Sequence, residues 1–196
     1  MGVLAVFLLP DPLSRQRFDS FAADLDGRFG VRAARCLPIH VTLKGFFQTD
    51  MAEADVDALV ARKLGDALPT LRTGPVRVYD GTSVCLRVGG DGEPRAALQT
   101  LHESILDAVR PAIAPECPFT AAEWSGPRYD PHITLANFDV EPTRVDAIAS
   151  FAEERAPRVF VPGSVALLRV ESADWSRWWQ DVTLVTLATH RLRVTT

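Results

Sequence analysis

Residues 40–43 read HVTL, and residues 132–135 read HITL. The chain holds four histidines, and two of them open the same four-residue pattern. With 14 Thr and 21 Leu in 196 residues, two of four histidines would meet Thr two places on and Leu three places on in roughly 1 of 3,000 shuffled sequences. Each stretch lies in an apolar, β-rich run, IHVTLKGFF and PHITLANF, which reads as a strand. Alternate side chains of a strand share a face. His40 and Thr42 therefore share one face, with Cα atoms about 6.6 Å apart, as do His132 and Thr134. Val41, Leu43, Ile133 and Leu135 point the other way and fix the register by burial.

Working outward, LAVFLLP (4–10) reads as a strand, and a helix is expected from Ser14 to Gly27 with Phe18, Phe21 and Leu25 on one face. EADVDALVARKLGDAL (53–68), EPRAALQTLHESILDAVRPAI (93–113) and PTRVDAIASFAEERA (142–156) have helical periodicity. PVRVYDG and SVCLRVGG form a hairpin around Asp80-Gly81. VFVPGSVALLRVES and DVTLVTLATHRL close the chain as strands. Both halves thus carry a motif strand followed by a helix, with no low-complexity linker between them. The irregular alternation and the hairpins favour an α+β architecture over a doubly wound parallel sheet, with residues 1–196 as one bilobed domain.

The composition narrows the function. Lys+Arg 21 against Asp+Glu 25 gives −4, which opposes a broad electrostatic grip on nucleic acid but not a small anion held locally. Three widely spaced cysteines, Cys36, Cys85 and Cys117, show no metal spacing and read as free thiols of a reducing cytoplasm. VLAVFLL lacks a basic leader and runs into Pro10, so it reads as a strand and not a signal peptide. Val6 stands where a myristoylation signal needs Ser or Thr, and no run has membrane-span length.

Two imidazoles and two hydroxyls facing one cleft suit in-line displacement at a phosphodiester. One proton leaves the attacking oxygen and another reaches the leaving oxygen on the far side. Histidine, with an ordinary pKa near 6.5, serves both tasks near neutrality. Thr hydroxyls donate to the non-bridging oxygens. No metal or other cofactor is expected. A metal site on His40 and His132 is the alternative, but neither strand adds a Cys, Asp or Glu at ligand spacing.

HVTLKGF and DPHITLANF, 132 − 40 = 92 positions apart, together with the opening VFLLPDPLSRQRF, resemble the paired H-x-T/S-hydrophobic signatures of the 2H phosphoesterase superfamily, in its branch called 2′,5′ RNA ligase or RNA 2′,3′-cyclic phosphodiesterase. The resemblance spans most of the chain. It implies a bilobed, pseudo-twofold fold, with antiparallel sheets and outer helices around a central groove. It implies metal-independent opening of 2′,3′-cyclic phosphates of RNA ends or small nucleotides, typically to 2′-phosphates, or cleavage and rejoining of 2′,5′ linkages. It makes His40 and His132 the acid/base pair, with Thr42 and Thr134 as phosphate-binding hydroxyls. Some members carry Arg or Lys two residues past each Thr, on the same face. Lys44 fills that place after the first motif, as a phosphate-binding cation or a solvated strand end. Ala136 follows the second, which leaves Arg128 as a substitute and weakens the case for ligation. The expected substrate is an RNA end or small cyclic nucleotide, and the chain is expected to be a monomer. A nucleotide-binding module without turnover is the alternative class.

Other residues carry weaker signals. Tyr129, Trp124, Phe7 and Phe46 are candidates to line the groove. Trp175, Trp178 and Trp179 in DWSRWWQ could stack a base or simply pack. His102 reads as a helix-flank residue and His190 as structural.

Overall fold

The computed structural model describes residues 2–65, 67–90, 92–119 and 129–195. Two four-stranded antiparallel sheets dominate. One has β2 (Val41–Thr49) at its edge, then β1 (Gly2–Pro10), β8 (Pro162–Glu171) and β9 (Thr183–Arg191). The other has β6 (His132–Ala136) at its edge, then β5 (Ser83–Val88), β4 (Leu71–Tyr79) and β7 (Val159–Phe160). The two motif strands are thus edge strands of separate sheets, and β2 and β6 approach within 8 Å between Cα atoms. A short parallel pair, β3 (Ala67–Pro69) with β10 (Arg193–Thr195), ties down the C-terminus.

Four helices cover the sheets. α1 (Pro12–Phe29) starts on the Asp11 carboxylate, which accepts from the Ser14 amide at 2.8 Å, with Pro12 at its first position. It ends at Gly30, whose φ of 70° closes the last turn. α2 (Glu53–Ala61), α3 (Glu93–Val109) and α4 (Val145–Arg155) complete the set. No described helix is long and apolar enough to cross a membrane.

The helices exchange sides. α1 follows β1 of the first sheet, yet Phe21 stacks on Phe151 of α4 at 6.0 Å, and Phe18 meets Phe160 of β7. α3 follows β5 of the second sheet, yet His102 Nδ1 lies 2.7 Å from the Leu43 carbonyl of β2. The two sheets are therefore not the two halves of the sequence. The first sheet joins both chain ends, and the second is built from the middle.

β1 is buried on both faces. Leu4, Val6 and Leu8 enter the main core with Phe18, Val41 and Leu43. Val3, Ala5 and Phe7 join Ala166, Leu168 and Val170 in a smaller cluster capped by Leu37, Phe46, Phe119 and Trp175. The hairpin at Asp80-Gly81 is present. The Thr82 amide donates to the Tyr79 carbonyl at 3.2 Å, and φ of 50° at Asp80 and 73° at Gly81 are what the central pair of a primed turn requires. α2 ends at Ala61, not Leu68, because Leu68 is buried as a strand residue in β3.

Candidate active site

The two tetrapeptides share more than sequence. His40 Nδ1 lies 2.7 Å from the Pro38 carbonyl, and His132 Nδ1 lies 2.7 Å from the Asp130 carbonyl. In both cases the partner sits two residues upstream. Each carbonyl accepts from Nδ1–H and so leaves Nε2 as the free nitrogen. The backbone repeats as well. Phe7 and Val6 pair with Thr42 and Lys44, and Cys85 and Val84 pair with Thr134 and Ala136. In each strand the motif leucine, Leu43 or Leu135, is the extra residue of a β-bulge. A bulge kinks the strand and re-aims the side chains beyond it.

That bulge changes the reading of Lys44. Simple alternation places it on the face of His40 and Thr42. In the structure Leu43 and Lys44 are both buried, and Lys44 is 5% exposed. Its Nζ lies 5.6 Å from the Phe47 ring and donates a long bond to the Gly45 carbonyl. Among the described residues no carboxylate pairs with it. Burial lowers its pKa, with Cys117 acting in the opposite sense. Lys44 is thus neither a solvated strand end nor a simple extension of the motif face. Ala136, its counterpart, is 1% exposed in the main core.

Two contiguous cavities meet at Thr42 and Gly45. One, of about 240 Å³, is bordered by Lys44, His102, Tyr129, Asp130 and His132. The other, of about 250 Å³, is bordered by His40, Thr134, Phe46, Asn137, Phe138 and Trp178. The four motif residues therefore border two neighbouring cavities, which together are called the groove, with His132 on one arm, His40 and Thr134 on the other, and Thr42 shared.

The surroundings of the two histidines differ. His40 stacks on Phe7, centroids 3.8 Å apart. Burial first, and the nearby His132 with it, lower the His40 pKa to about 4 against the favourable Pro38 carbonyl. His132 instead lies against the Tyr79 ring at 5.2 Å and beside an ionic knot. Arg87 Nε reaches Asp130 Oδ1 at 3.1 Å, Arg95 Nη1 reaches the same oxygen at 3.4 Å, and the Tyr79 hydroxyl donates to Oδ2. Burial opposes ionisation of Asp130, but the Tyr79 hydroxyl and the two guanidiniums outweigh it and hold its carboxyl below the usual range. Arg95 Nη2 also donates to the Tyr129 carbonyl at 3.0 Å, so the segment entering the second motif is clamped.

Tyr129 borders the groove as expected, but its ring stacks on His102 at 3.8 Å and its hydroxyl donates to the Thr42 carbonyl at 2.9 Å. It joins the second motif's approach to the first motif's strand. Phe7 supports the His40 ring from below and is 1% exposed. Phe46 lies in the aromatic arm, with Trp178 at 4.9 Å and Trp175 at 6.2 Å. Trp179 stacks on Phe138 at 4.3 Å. Arg128 and Trp124 lie outside the described residues. His190 bonds Asp57 at 2.7 Å, far in sequence from either motif, and links β9 to α2.

Sequence reasoning missed Asp130, Tyr79, Arg87, Arg95, Asn137 and the inward place of His102. Only Asp130 carried a signal, as the acidic residue two places before the second histidine. His102 stands next to Leu101 and reads as a helix flank, yet it is 3% exposed. Among the described residues no three His, Cys, Asp or Glu side chains cluster as metal ligands.

Residues 9–174 match the model of the 2′-5′ RNA ligase superfamily. The chain belongs to this superfamily. This agrees with the resemblance carried by the two motifs. No curated protein matches the sequence. Among solved structures, the fold of this superfamily member is similar to that of E. coli LigT complexed with 3′-AMP, with a TM-score of 0.62 and 16% identity over 97% of each chain. It is similar to TT0787 of Thermus thermophilus, with a TM-score of 0.61 and 17% identity over 99% of this chain and 100% of that one. A structure described as a phosphoesterase gives a TM-score of 0.55 at 15% identity, over 98% of each chain. The mixed fold with antiparallel sheets and outer helices is that of these proteins.

Proposed function

We propose that this protein is a phosphodiesterase that opens 2′,3′-cyclic phosphates of RNA ends or small nucleotides to 2′-phosphates, without a metal ion. One observation carries the reading. Two imidazoles, each with Nδ1 tied to a carbonyl two residues upstream, border neighbouring cavities that share Thr42 and Gly45, and neither Nε2 has a partner among the described residues. LigT, of similar fold, has been crystallised with 3′-AMP, ATP and NADP+, which fits a nucleotide ligand.

The difference in surroundings supports the following division of roles. His40, held neutral by burial, takes a proton from water through Nε2 as the water attacks phosphorus. The P–O3′ bond breaks, and His132 delivers its Nε2 proton to O3′. Thr42 and Thr134 donate to the non-bridging oxygens, where charge is held in the transition state. Lys44, a buried cation with no carboxylate partner among the described residues, adds charge at the phosphate. Solvent then returns the protons to their starting places.

The test is hydrolysis of adenosine 2′,3′-cyclic phosphate in EDTA, with the product identified by phosphorus NMR. The expected product is the 2′-phosphate, formed at the same rate with and without chelator. Binding without turnover would mark a nucleotide-binding module, and loss of turnover on chelation would overturn the metal-free mechanism.

A further inference from the structure

The two motifs aim their imidazoles with the same bond but anchor that bond differently. His40 Nδ1 is held by the carbonyl of Pro38, whose own ring fixes its φ. His132 Nδ1 is held by the carbonyl of Asp130, which has no such ring. A group that orients a reacting side chain must itself be held by its neighbours. At Pro38 the chain supplies this covalently. At Asp130 the side chain and its partners are in a position to supply it.

Three elements converge on the Asp130 carboxylate. Arg87 stands on β5 directly opposite His132, and its Nε donates to Oδ1 at 3.1 Å. Tyr79 ends β4, donates its hydroxyl to Oδ2, and lays its ring 5.2 Å from that of His132. Arg95 stands in the first turn of α3 and holds two successive residues, Asp130 through Nη1 at 3.4 Å and the Tyr129 carbonyl through Nη2 at 3.0 Å. The helix dipole disfavours a cation in a first turn, so Arg95 stands there against local preference. Its approach needs Gly89, whose φ is 100° and where a Cβ would meet Arg95 Cα at 3.3 Å. The following residue is held as well, since the Pro131 carbonyl accepts from the Val88 amide at 2.9 Å. The charged side chains of this knot are only 25–28% exposed.

We propose that Asp130 is a positioning residue: Tyr79, Arg87 and Arg95 hold its side chain so that its carbonyl keeps His132 in the Nδ1–H form, with Nε2 as the nitrogen that exchanges the proton. The inference rests on the phosphoesterase reading for casting His132 as the proton donor. A cationic imidazole carries a proton on each nitrogen. As the P–O3′ bond breaks, the Nε2–H bond breaks with it, the proton goes to O3′, and the ring is left neutral with its remaining proton on Nδ1. A free imidazole side chain prefers the other neutral form, with the proton on Nε2. The Asp130 carbonyl is an acceptor that only Nδ1–H satisfies, so it reverses that preference and favours the state at the end of the transfer. Ion pairs this far from water add little net stability. Here they fix a direction.

The experiment reads the tautomer without substrate, by nitrogen NMR of the histidine rings at about pH 8.5, where an ordinary imidazole is neutral. The spectrum of His132→Gln assigns the signal. The wild-type His132 ring should be Nδ1–H. In Asp130→Asn, which keeps the shape and removes the charge, the Nε2–H form should appear beside it, while His40, held by Pro38, stays as it was. Tyr79→Phe removes one oxygen and should give a smaller change of the same kind. With adenosine 2′,3′-cyclic phosphate, kcat of Asp130→Asn should fall about 10- to 100-fold with KM nearly unchanged. A wild-type His132 ring in the Nε2–H form would overturn the inference, whether or not the variants fold. So would a ring still wholly Nδ1–H in both variants, or a shifted tautomer with kcat unchanged. If the tautomer responds as expected but the wild-type protein hydrolyses nothing, the phosphoesterase reading falls and the orienting clamp stands.

Discussion

The His40 arm and the His132 arm begin from nearly the same tetrapeptide and end in different environments. His40 is packed on an aromatic ring, has only a backbone carbonyl as partner, and is pushed down to a pKa of about 4. His132 lies beside a tyrosine and a carboxylate bound by two arginines. The shared parts, the i−2 carbonyl and the leucine bulge, orient the rings. The unshared parts differ, and the proposed mechanism uses that difference to assign the proton acceptor to His40. A duplicated motif therefore supplies matched geometry, and its neighbours supply the asymmetry on which the proposal draws.

The largest expected effect comes from removing either ring. His40→Ala and His132→Ala should each lower kcat by about 10²–10⁴-fold, measured at saturating cyclic nucleotide. Near-normal turnover in either variant breaks the pairing. Thr42→Ala and Thr134→Ala should cost less, roughly 10- to 10³-fold in kcat. A large difference between the two would show that the phosphate leans on one arm.

Lys44→Met separates binding from stability. It keeps the buried apolar stem and removes the cation, which has no carboxylate partner among the described residues. KM should rise about 10-fold, as the loss of a charge-assisted contact predicts, while Tm rises or holds, because a desolvated charge has been removed. A fall in Tm with KM unchanged would mean that Lys44 serves packing alone.

The pH dependence sharpens the contrast between the arms. The folded pKa of His40 lies below its unfolded value of about 6.5, so the folded protein binds fewer protons in that interval. The resulting stability is fully present above about pH 6.5 and is lost as pH falls toward 4, by up to about 3 kcal/mol. Urea titrations at several pH values should show this loss in the wild-type protein and a smaller one in His40→Gln. NMR should find the His40 ring neutral down to about pH 4, and the acid limb of the rate profile should follow it. The smallest effect belongs to Phe7→Leu. Loosening the ring beneath His40 should move its pKa up toward the ordinary value, at a cost of about 1 kcal/mol in stability.

The placing of the motif side chains was legible in the sequence because it is local. His-x-Thr lies ahead of the bulge in both copies, so alternation set an imidazole and a hydroxyl on one face. The hairpin at Asp80-Gly81 was legible for the same reason. The place of Lys44 was not, because a bulge at Leu43 depends on the partner strand, and no property of residues 40–44 announces it. The aromatic and ionic surroundings of the two histidines were hidden too, since Asp130 meets Tyr79, Arg87 and Arg95 only after distant strands have paired. The helix that carries His102 speaks for its own periodicity, but the decisive contact is the Leu43 carbonyl on another strand. The grouping of strands into sheets also lay beyond reach, because periodicity reports which face of a strand is buried and not which neighbour buries it.

The first sheet has a consequence for the newborn chain. Both tetrapeptides have been translated by residue 135, yet β8 and β9, which complete the sheet on the far side of β1, lie at residues 162–191. A ribosome that has released every group of the proposed chemistry still holds a β1–β2 pair with one open, apolar edge. Such edges recruit other chains, and contacts between distant parts of a sequence form slowly. Until β8 is made, the apolar edge of β1 stays open to other chains, and the closing strands are what cover it.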